Sequence, residues 1–451
     1  MSTDSPISVG LVSLGCSKNL VDTQVMCGVM LTEGVELAPN PDDADVVLVN
    51  TCAFIQSARD EADAEICRAL ALKGEGKIGA VIVAGCLVQR YGAALAEKYP
   101  AVDAWIGIDH LEDIAAVVKR VGRGGRARRR AQVLVEGPAN GLFEPRIPSL
   151  SLSGGPFAYL KIAEGCNHAC AYCAIPGIRG RLRSRRVADI VREAGELLKT
   201  GVRELDIVAQ DVTAYGRDKR NGERLPALLG ALDELGGRYW TRILYGYPSL
   251  VDDALLESFA SLKHLCRYID IPIQHSHPDI LRAMRRADTV RFVESLPARL
   301  RAACPGIAIR TTCLVGFPGE TEEHFRHLCD FVREARFDAL GVFAFSREEG
   351  TAAADMPDQV PAEVAEERRD RLMRIQRRIQ REALRRRVGK KAKALLIRPI
   401  AGGRWEARTE WQAPDVDGVT IVSGCGPKAK PGDFVRVGIT GVRGYDLVAS
   451  V

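Results

Sequence analysis

Three continuous apolar, β-branched runs open the chain: ISVGLVSLGC, ADVVLVNTC and GAVIVAGC. Each closes on a cysteine, and good helix formers follow, as from Ala53 to Lys73 and from Leu87 to Tyr99. Unbroken apolar runs mark strands buried on both faces, as in a parallel sheet between helices. The pattern predicts an α/β domain over residues 1–121, with its last helix ending near Val118. GRGGRARRRA at 122–131 has no apolar period and begins a predicted linker over 122–151.

A second α/β series follows. FAYLKIAEG, ELDIVAQD, TRILYGYP, RYIDIPIQH, IAIRTTCLVGFPG and FDALGVFAFS read as strands, separated by helical stretches at 185–199, 251–262, 290–303 and 321–335. Six βα repeats predict an open, partial (β/α)6 version of the parallel barrel, whose complete form has eight strands. A doubly wound sheet is the competing architecture. An Arg-rich helix over 361–388 trails this domain, with Leu372, Ile375 and Ile379 as its expected inner face. Residues 152–388 thus form the second domain. KAKALLIRPI, RWEARTEW, GVTIVSG and FVRVGITGV are short strand-like runs divided by turns, so 389–451 reads as a small all-β barrel.

Length and composition fit this division. A chain of 451 residues, 46% hydrophobic and 27% charged, is globular and too long for one ordinary core. No stretch approaches the ~18 apolar residues of a membrane span. The opening MSTDSPISVG has no basic-then-apolar signal, so a cytoplasmic protein without a membrane partner is expected. Thiols stay reduced there, and thirteen cysteines then point to metal binding or catalysis. Net charge is +5, unevenly spread: residues 361–388 carry +5, residues 389–451 carry +4 and the rest −4. That basic C-terminal fifth suggests a polyanionic partner.

Cys166, Cys170 and Cys173 form CxxxCxxC just after the first strand of the second domain. A structural zinc site would want a fourth ligand, and none follows at suitable spacing. Three thiolates on a 4Fe–4S cluster instead leave one iron open for a small molecule. Cys16, Cys52 and Cys86 are linked by topology rather than spacing. Each ends a predicted parallel strand, and the carboxyl ends of such strands share one sheet edge, where ligands bind. Cys27, Cys67, Cys266, Cys304, Cys313, Cys329 and Cys425 lack partner spacing and read as packing residues.

EGCNHACAYCAIPGIRG, with Tyr172 before its third cysteine, resembles the cluster loop of radical S-adenosylmethionine enzymes. Together the two trios and the C-terminal module resemble the methylthiotransferase family over nearly the whole chain. LGCSKNLVD, VAQDVTAYG, IDIPIQHSHPDILRAMRR, LVGFPGETEEHF and APDVDG fit its ribosomal-protein-modifying, RimO-type branch better than the tRNA-modifying, MiaB-like branch. Gln24 departs from the acidic residue more usual there. The resemblance implies two 4Fe–4S clusters, the first on Cys16, Cys52 and Cys86. The second, on Cys166, Cys170 and Cys173, would bind exchangeable S-adenosylmethionine, which serves as radical source and methyl donor. Residues 389–451 become a TRAM domain.

The implied reaction places a methylthio group on the β-carbon of an aspartate in small-subunit ribosomal protein twelve, free or in the assembled small ribosomal subunit. A flavodoxin-like or ferredoxin-like protein is the implied reductant, with ribosomal RNA a further contact. Tyr172, Gln210, Asp211, Gln274, His275 and Gly316, at strand ends or in the cluster loop, are candidate contacts to S-adenosylmethionine; strand-end capping is the alternative for those at strand ends. The rival activities are tRNA methylthiolation of a modified adenosine and a non-catalytic RNA-binding protein with structural zinc.

Overall fold

The computed structural model describes residues 6–122, 131–142 and 152–451, so most of the basic segment 122–131 lies outside the described residues. The chain forms two compact units. One comprises Met1–Leu152, Ala163–His168 and Cys173–Arg185, the other Ser153–Ile162, Ala169–Tyr172 and Arg186–Val451.

The first unit runs β1 (Ser8–Ser13), α1 (Ser17–Thr32), β2 (Glu36–Leu37), β3 (Val46–Thr51), α2 (Gln56–Gly74) and β4 (Ala80–Gly85). It continues with α3 (Cys86–Lys98), β5 (Ala104–Ile106), α4 (Ile114–Gly122) and β6 (Gln132–Leu134). The six strands are all parallel, in the order β2-β1-β3-β4-β5-β6. Every residue of β3 and β4 is buried, which is why their sequences run apolar without alternation. Successive residues face opposite ways: Val47, Val49, Val81 and Val83 join one core, Leu48, Ala80 and Ile82 another. The expected linker 122–151 is not wholly irregular: Gln132–Leu134 within it pairs with β5 as the sheet's edge strand.

The second unit starts with β7 (Phe157–Lys161), and the chain then returns to the first unit for β8 (Ala163–Glu164), α5 (Ile175–Arg179) and β9 (Arg183–Ser184). Next come α6 (Val187–Lys199), β10 (Glu204–Val208), α7 (Leu225–Asp233), β11 (Trp240–Ile243), α8 (Asp253–Ser261) and β12 (Leu265–Asp270). Short helices α9 (Pro278–Ala283), α10 (Val290–Val293) and α11 (Leu296–Ala303) lead to β13 (Ala308–Val315), α12 (Glu322–Ala335) and β14 (Ala339–Ala344). Strands β7, β10, β11, β12, β13 and β14 neighbour one another in chain order and are parallel. A doubly wound sheet would reverse its order partway. This sheet does not, and among the described residues its outer strands pair with no further strand, so it is the open six-stranded form of the barrel.

Helix α13 (Ala362–Arg385) buries Ala365, Arg368, Leu372, Gln376, Ile379 and Ala383. Gln376 takes the inward position expected of Ile375, donating to the Phe337 carbonyl at 2.9 Å. Of the arginines that end the helix, Arg387 is turned inward, 3.2 Å from Asp338 and stacked on Trp411.

Strands β15 (Lys391–Ile400), β16 (Arg404–Thr409), β17 (Thr420–Ser423), β18 (Phe434–Arg443) and β19 (Asp446–Ser450) close a barrel. Its 410–418 loop reaches the amino-terminal half of the six-stranded sheet. There Asp417 takes Arg310 at 3.0 Å and the Tyr268 hydroxyl at 2.7 Å, and Asp415 takes the Tyr159 hydroxyl at 2.6 Å. Arg408 of β16 and Arg242 of β11 each lie 2.8 Å from Glu204 of β10, whose side chain is wholly buried. Among the described residues no helix is long and apolar enough to cross a membrane.

Candidate functional site

Cys16, Cys52 and Cys86 converge at the carboxyl edge of the first sheet because each sits where a strand gives way. Cys16 caps α1, Cys52 directly follows β3, and Cys86 begins α3. Gly15 makes the approach possible. Its φ is +89°, and a Cβ there would lie 2.6 Å from Cys52 Cβ, so only glycine admits this loop. The three thiols interact electrostatically with one another and share one cation, Arg179 of α5.

Sequence reading missed Arg179. Its side chain is 2% exposed and lies 2.8 Å from Asp22 of α1 and 2.9 Å from Glu164 of β8. It also donates to Cys86 Sγ at 3.2 Å. Burial pushes the Cys86 thiol up to about 12 and raises Cys52 as well. Burial opposes ionisation of Cys16 too, yet Lys18, Arg179 and the Asn19 and Lys18 backbone N–H groups prevail and lower it. Three sulfurs, one buried cation and two helix starts form a surrounding suited to an anionic thiolate cluster. Replacing Arg179 with Met strands two buried carboxylates and should cost about 3–5 kcal/mol, read as a lower urea midpoint of the iron-free protein.

Cys166, Cys170 and Cys173, all half-buried, share the loop after β8. The Cys166 N–H donates to the Gly180 carbonyl at 3.0 Å, and Cys166 Sγ accepts from the His168 N–H at 3.4 Å. Within the second unit, Ala171 is pinned by backbone bonds to Met284 and Ala353. Tyr172 packs on a core of Ile280, Met284, Phe317 and Ala353. Arg286, also unforeseen, approaches Cys170 Sγ at 3.6 Å and the Tyr172 hydroxyl at 3.5 Å.

The other candidates divide by role. Gln210 has a buried side-chain oxygen without a partner, the kind of acceptor a bound ligand would satisfy. Asp211 caps the short turn Val212–Ala214, its Oδ1 accepting from Thr213 and Ala214 N–H. Gln274 adopts a left-handed φ of 68° and bridges by its backbone to β13. His275 is fully buried; burial and the nearby His277, His324 and His327 hold it neutral. Gly316, at φ +75°, lets α13 approach: a Cβ there would lie 2.3 Å from that of Ala365. Of the seven cysteines read as packing residues, five are buried and Cys425 half-buried, but Cys67 is exposed, on the outer face of α2.

Comparison with known proteins fits this organisation. Residues 8–107 match the uncharacterized protein family UPF0004, residues 160–332 the radical SAM superfamily and residues 388–451 the TRAM domain. A structure of the radical S-adenosylmethionine methyltransferase TsrM from Kitasatospora setae, with cobalamin and a 4Fe–4S cluster bound, shares the fold at TM-score 0.56 and 16% identity, over 89% of this chain and 77% of that one. Fold and sequence thus define a radical S-adenosylmethionine enzyme, a class that works with S-adenosylmethionine and a 4Fe–4S cluster.

Three curated relatives are called ribosomal protein uS12 methylthiotransferase RimO. That of Pelotomaculum thermopropionicum is 45% identical over 98% of both chains. The Desulforamulus reducens protein is 41% identical over 98% of this chain and 99% of its own. The one from Trichlorobacter lovleyi is 43% identical over 100% of this chain and 99% of its own. The chain belongs to the RimO family of radical S-adenosylmethionine methylthiotransferases.

Proposed function

We propose that this enzyme replaces a β-carbon hydrogen of an aspartate in ribosomal protein uS12 with a methylthio group. Such a C–H bond gives acid–base and nucleophilic chemistry no purchase, so a radical is required. The observation that carries the reading is the convergence of Cys16, Cys52 and Cys86 about Arg179, in a chain that already has a radical loop. Two 4Fe–4S clusters, one on each cysteine trio, would together supply the radical chemistry and the sulfur. The donor sets fit: each trio offers three thiols, and each has a buried guanidinium directed at one of its sulfurs.

The chain's own groups orient and enclose. Asp22 and Glu164 fix Arg179, which in turn holds Cys86. Tyr172, Gln210 and Gln274 lie where S-adenosylmethionine would be held, with Asp211, His275 and Gly316 shaping the strand ends behind them. Residues 1–121 carry the sulfur-presenting cluster and 152–388 the radical chemistry, with 122–151 between them. The TRAM barrel at 389–451, with exposed Arg377, Arg378, Arg381, Arg385 and Arg386 on α13, would dock the small subunit or its RNA. Work in the cytoplasm with a flavodoxin-like or ferredoxin-like reductant completes the reading.

The deciding measurement is mass spectrometry of uS12 and of tRNA nucleosides from cells with and without the gene. The methylthio aspartate should disappear from uS12 on deletion. Loss of a methylthio adenosine from tRNA, with uS12 unchanged, would replace this function with the tRNA activity.

A further inference from the structure

Arg286 differs from four other buried arginines of the molecule. Arg179, Arg242, Arg368 and Arg408 each meet a carboxylate within 3.0 Å. Arg286 is 3% exposed and meets none among the described residues. Its Nη1 lies 3.6 Å from Cys170 Sγ and 3.5 Å from the Tyr172 hydroxyl, and Nη2 donates to the Pro272 carbonyl at 3.0 Å. The guanidinium carbon sits 4.2 Å from the centre of the Tyr247 ring, and Nε has no partner. The nearby carboxylate of Asp288 is taken up by the hydroxyls of Tyr247 and Ser249. A buried guanidinium without a counter-charge is costly, and an anion supplied from elsewhere would offset that cost. The sulfur it reaches belongs to the cysteine loop, so the natural anion is a thiolate-bound cluster.

We propose that Arg286 is the built-in counter-charge of the radical-domain cluster and that it sets the cluster's reduction potential. The proposal rests on the reading that Cys170 is a cluster ligand. Reduction adds one electron from an external donor, while the guanidinium keeps its proton throughout. A fixed positive charge and a hydrogen bond to a ligand sulfur both favour the more negative, reduced state, so they raise the potential. Tyr247 and Tyr172 hold the planar group in place, which an ammonium on a flexible stem would not match.

The test uses full-length protein carrying Cys16→Ala, Cys52→Ala and Cys86→Ala, so that only the radical-domain cluster assembles. Its midpoint potential is measured by EPR-monitored dithionite titration without S-adenosylmethionine. Arg286→Met should move the midpoint to more negative values, and Arg286→Lys should fall between Met and the parent. An unchanged midpoint in Arg286→Met with full iron content overturns the proposal. So does a shift seen only when S-adenosylmethionine is present, which would assign the charge to that molecule's carboxylate.

Thermal melting of the iron-free proteins decides the case in which Arg286→Met holds no iron. Removing an uncompensated cation should leave the iron-free melting point unchanged or higher, whereas a scaffold role would lower it and end the proposal. Failure of the ligand reading has a separate signature: deoxyadenosine formation would survive Ala replacement of Cys166, Cys170 and Cys173.

Discussion

Ala at Cys16, Cys52 and Cys86 together should leave reductive cleavage of S-adenosylmethionine to deoxyadenosine within a few-fold of the parent, while methylthiolated uS12 falls below detection. The expectation comes from placement. These sulfurs gather at the carboxyl edge of the first unit's own sheet, around Arg179, while the other trio occupies a different loop. Iron and sulfide analysis of the anaerobically reconstituted variant should fall from two clusters' worth to one. The mirror variant, with Ala at Cys166, Cys170 and Cys173, should likewise keep one cluster but form no deoxyadenosine. Loss of all iron from either variant would show that the sites are not independent. Lost deoxyadenosine formation in a variant that keeps its radical-domain cluster would refute the division of labour.

Much of this arrangement can be read from the sequence because burial on both faces writes itself as unbroken apolar runs. The strands β1, β3 and β4 stand out that way, and the six of the second sheet as apolar segments interrupted by charged residues such as Glu204, Asp206 and Arg242; the cysteines at the ends of the first three follow from sheet topology. Short edge strands leave no such trace. Gln132–Leu134 is three half-buried residues, and Glu36–Leu37 at the opposite edge is only two. Buried charge is invisible for another reason. Arg179 and Arg286 lie inside motifs whose cysteines draw attention, yet an arginine in sequence is usually a surface residue. Only packing reveals that their guanidinium groups face sulfur. Cys67 errs in the other direction: its helix buries only Ala62, Ile66, Ala69 and Leu72, and the thiol falls on the solvent side. Along α13 Leu372 and Ile379 face inward as expected, and Gln376 replaces Ile375 at the position between them because it finds a backbone acceptor and can be buried without penalty.

Glu204→Ala should be the most damaging single substitution in the second unit, costing about 3–5 kcal/mol. Glu204 is wholly buried, and its two oxygens answer Arg242 of the sheet and Arg408 of the TRAM barrel. Removing it leaves two buried guanidinium groups without their shared carboxylate, and Asp206, 3.5 Å from Arg242 and held above the ordinary carboxyl range chiefly by burial, is only a partial substitute. The same network makes the TRAM barrel more than a docking appendage. Arg408, Asp415 and Asp417 reach the sheet, so truncation after Val388 strands Glu204, Tyr159, Tyr268 and Arg310 at once. The truncated chain should therefore lose stability and cluster retention together with uS12 modification. Arg377→Ala, Arg378→Ala and Arg381→Ala, all exposed on α13, should by contrast reduce only modification, by a margin that narrows as salt rises. Urea unfolding of the iron-free proteins separates the two effects. A truncated chain with an unshifted midpoint would mean that the barrel contributes nothing to the sheet it touches.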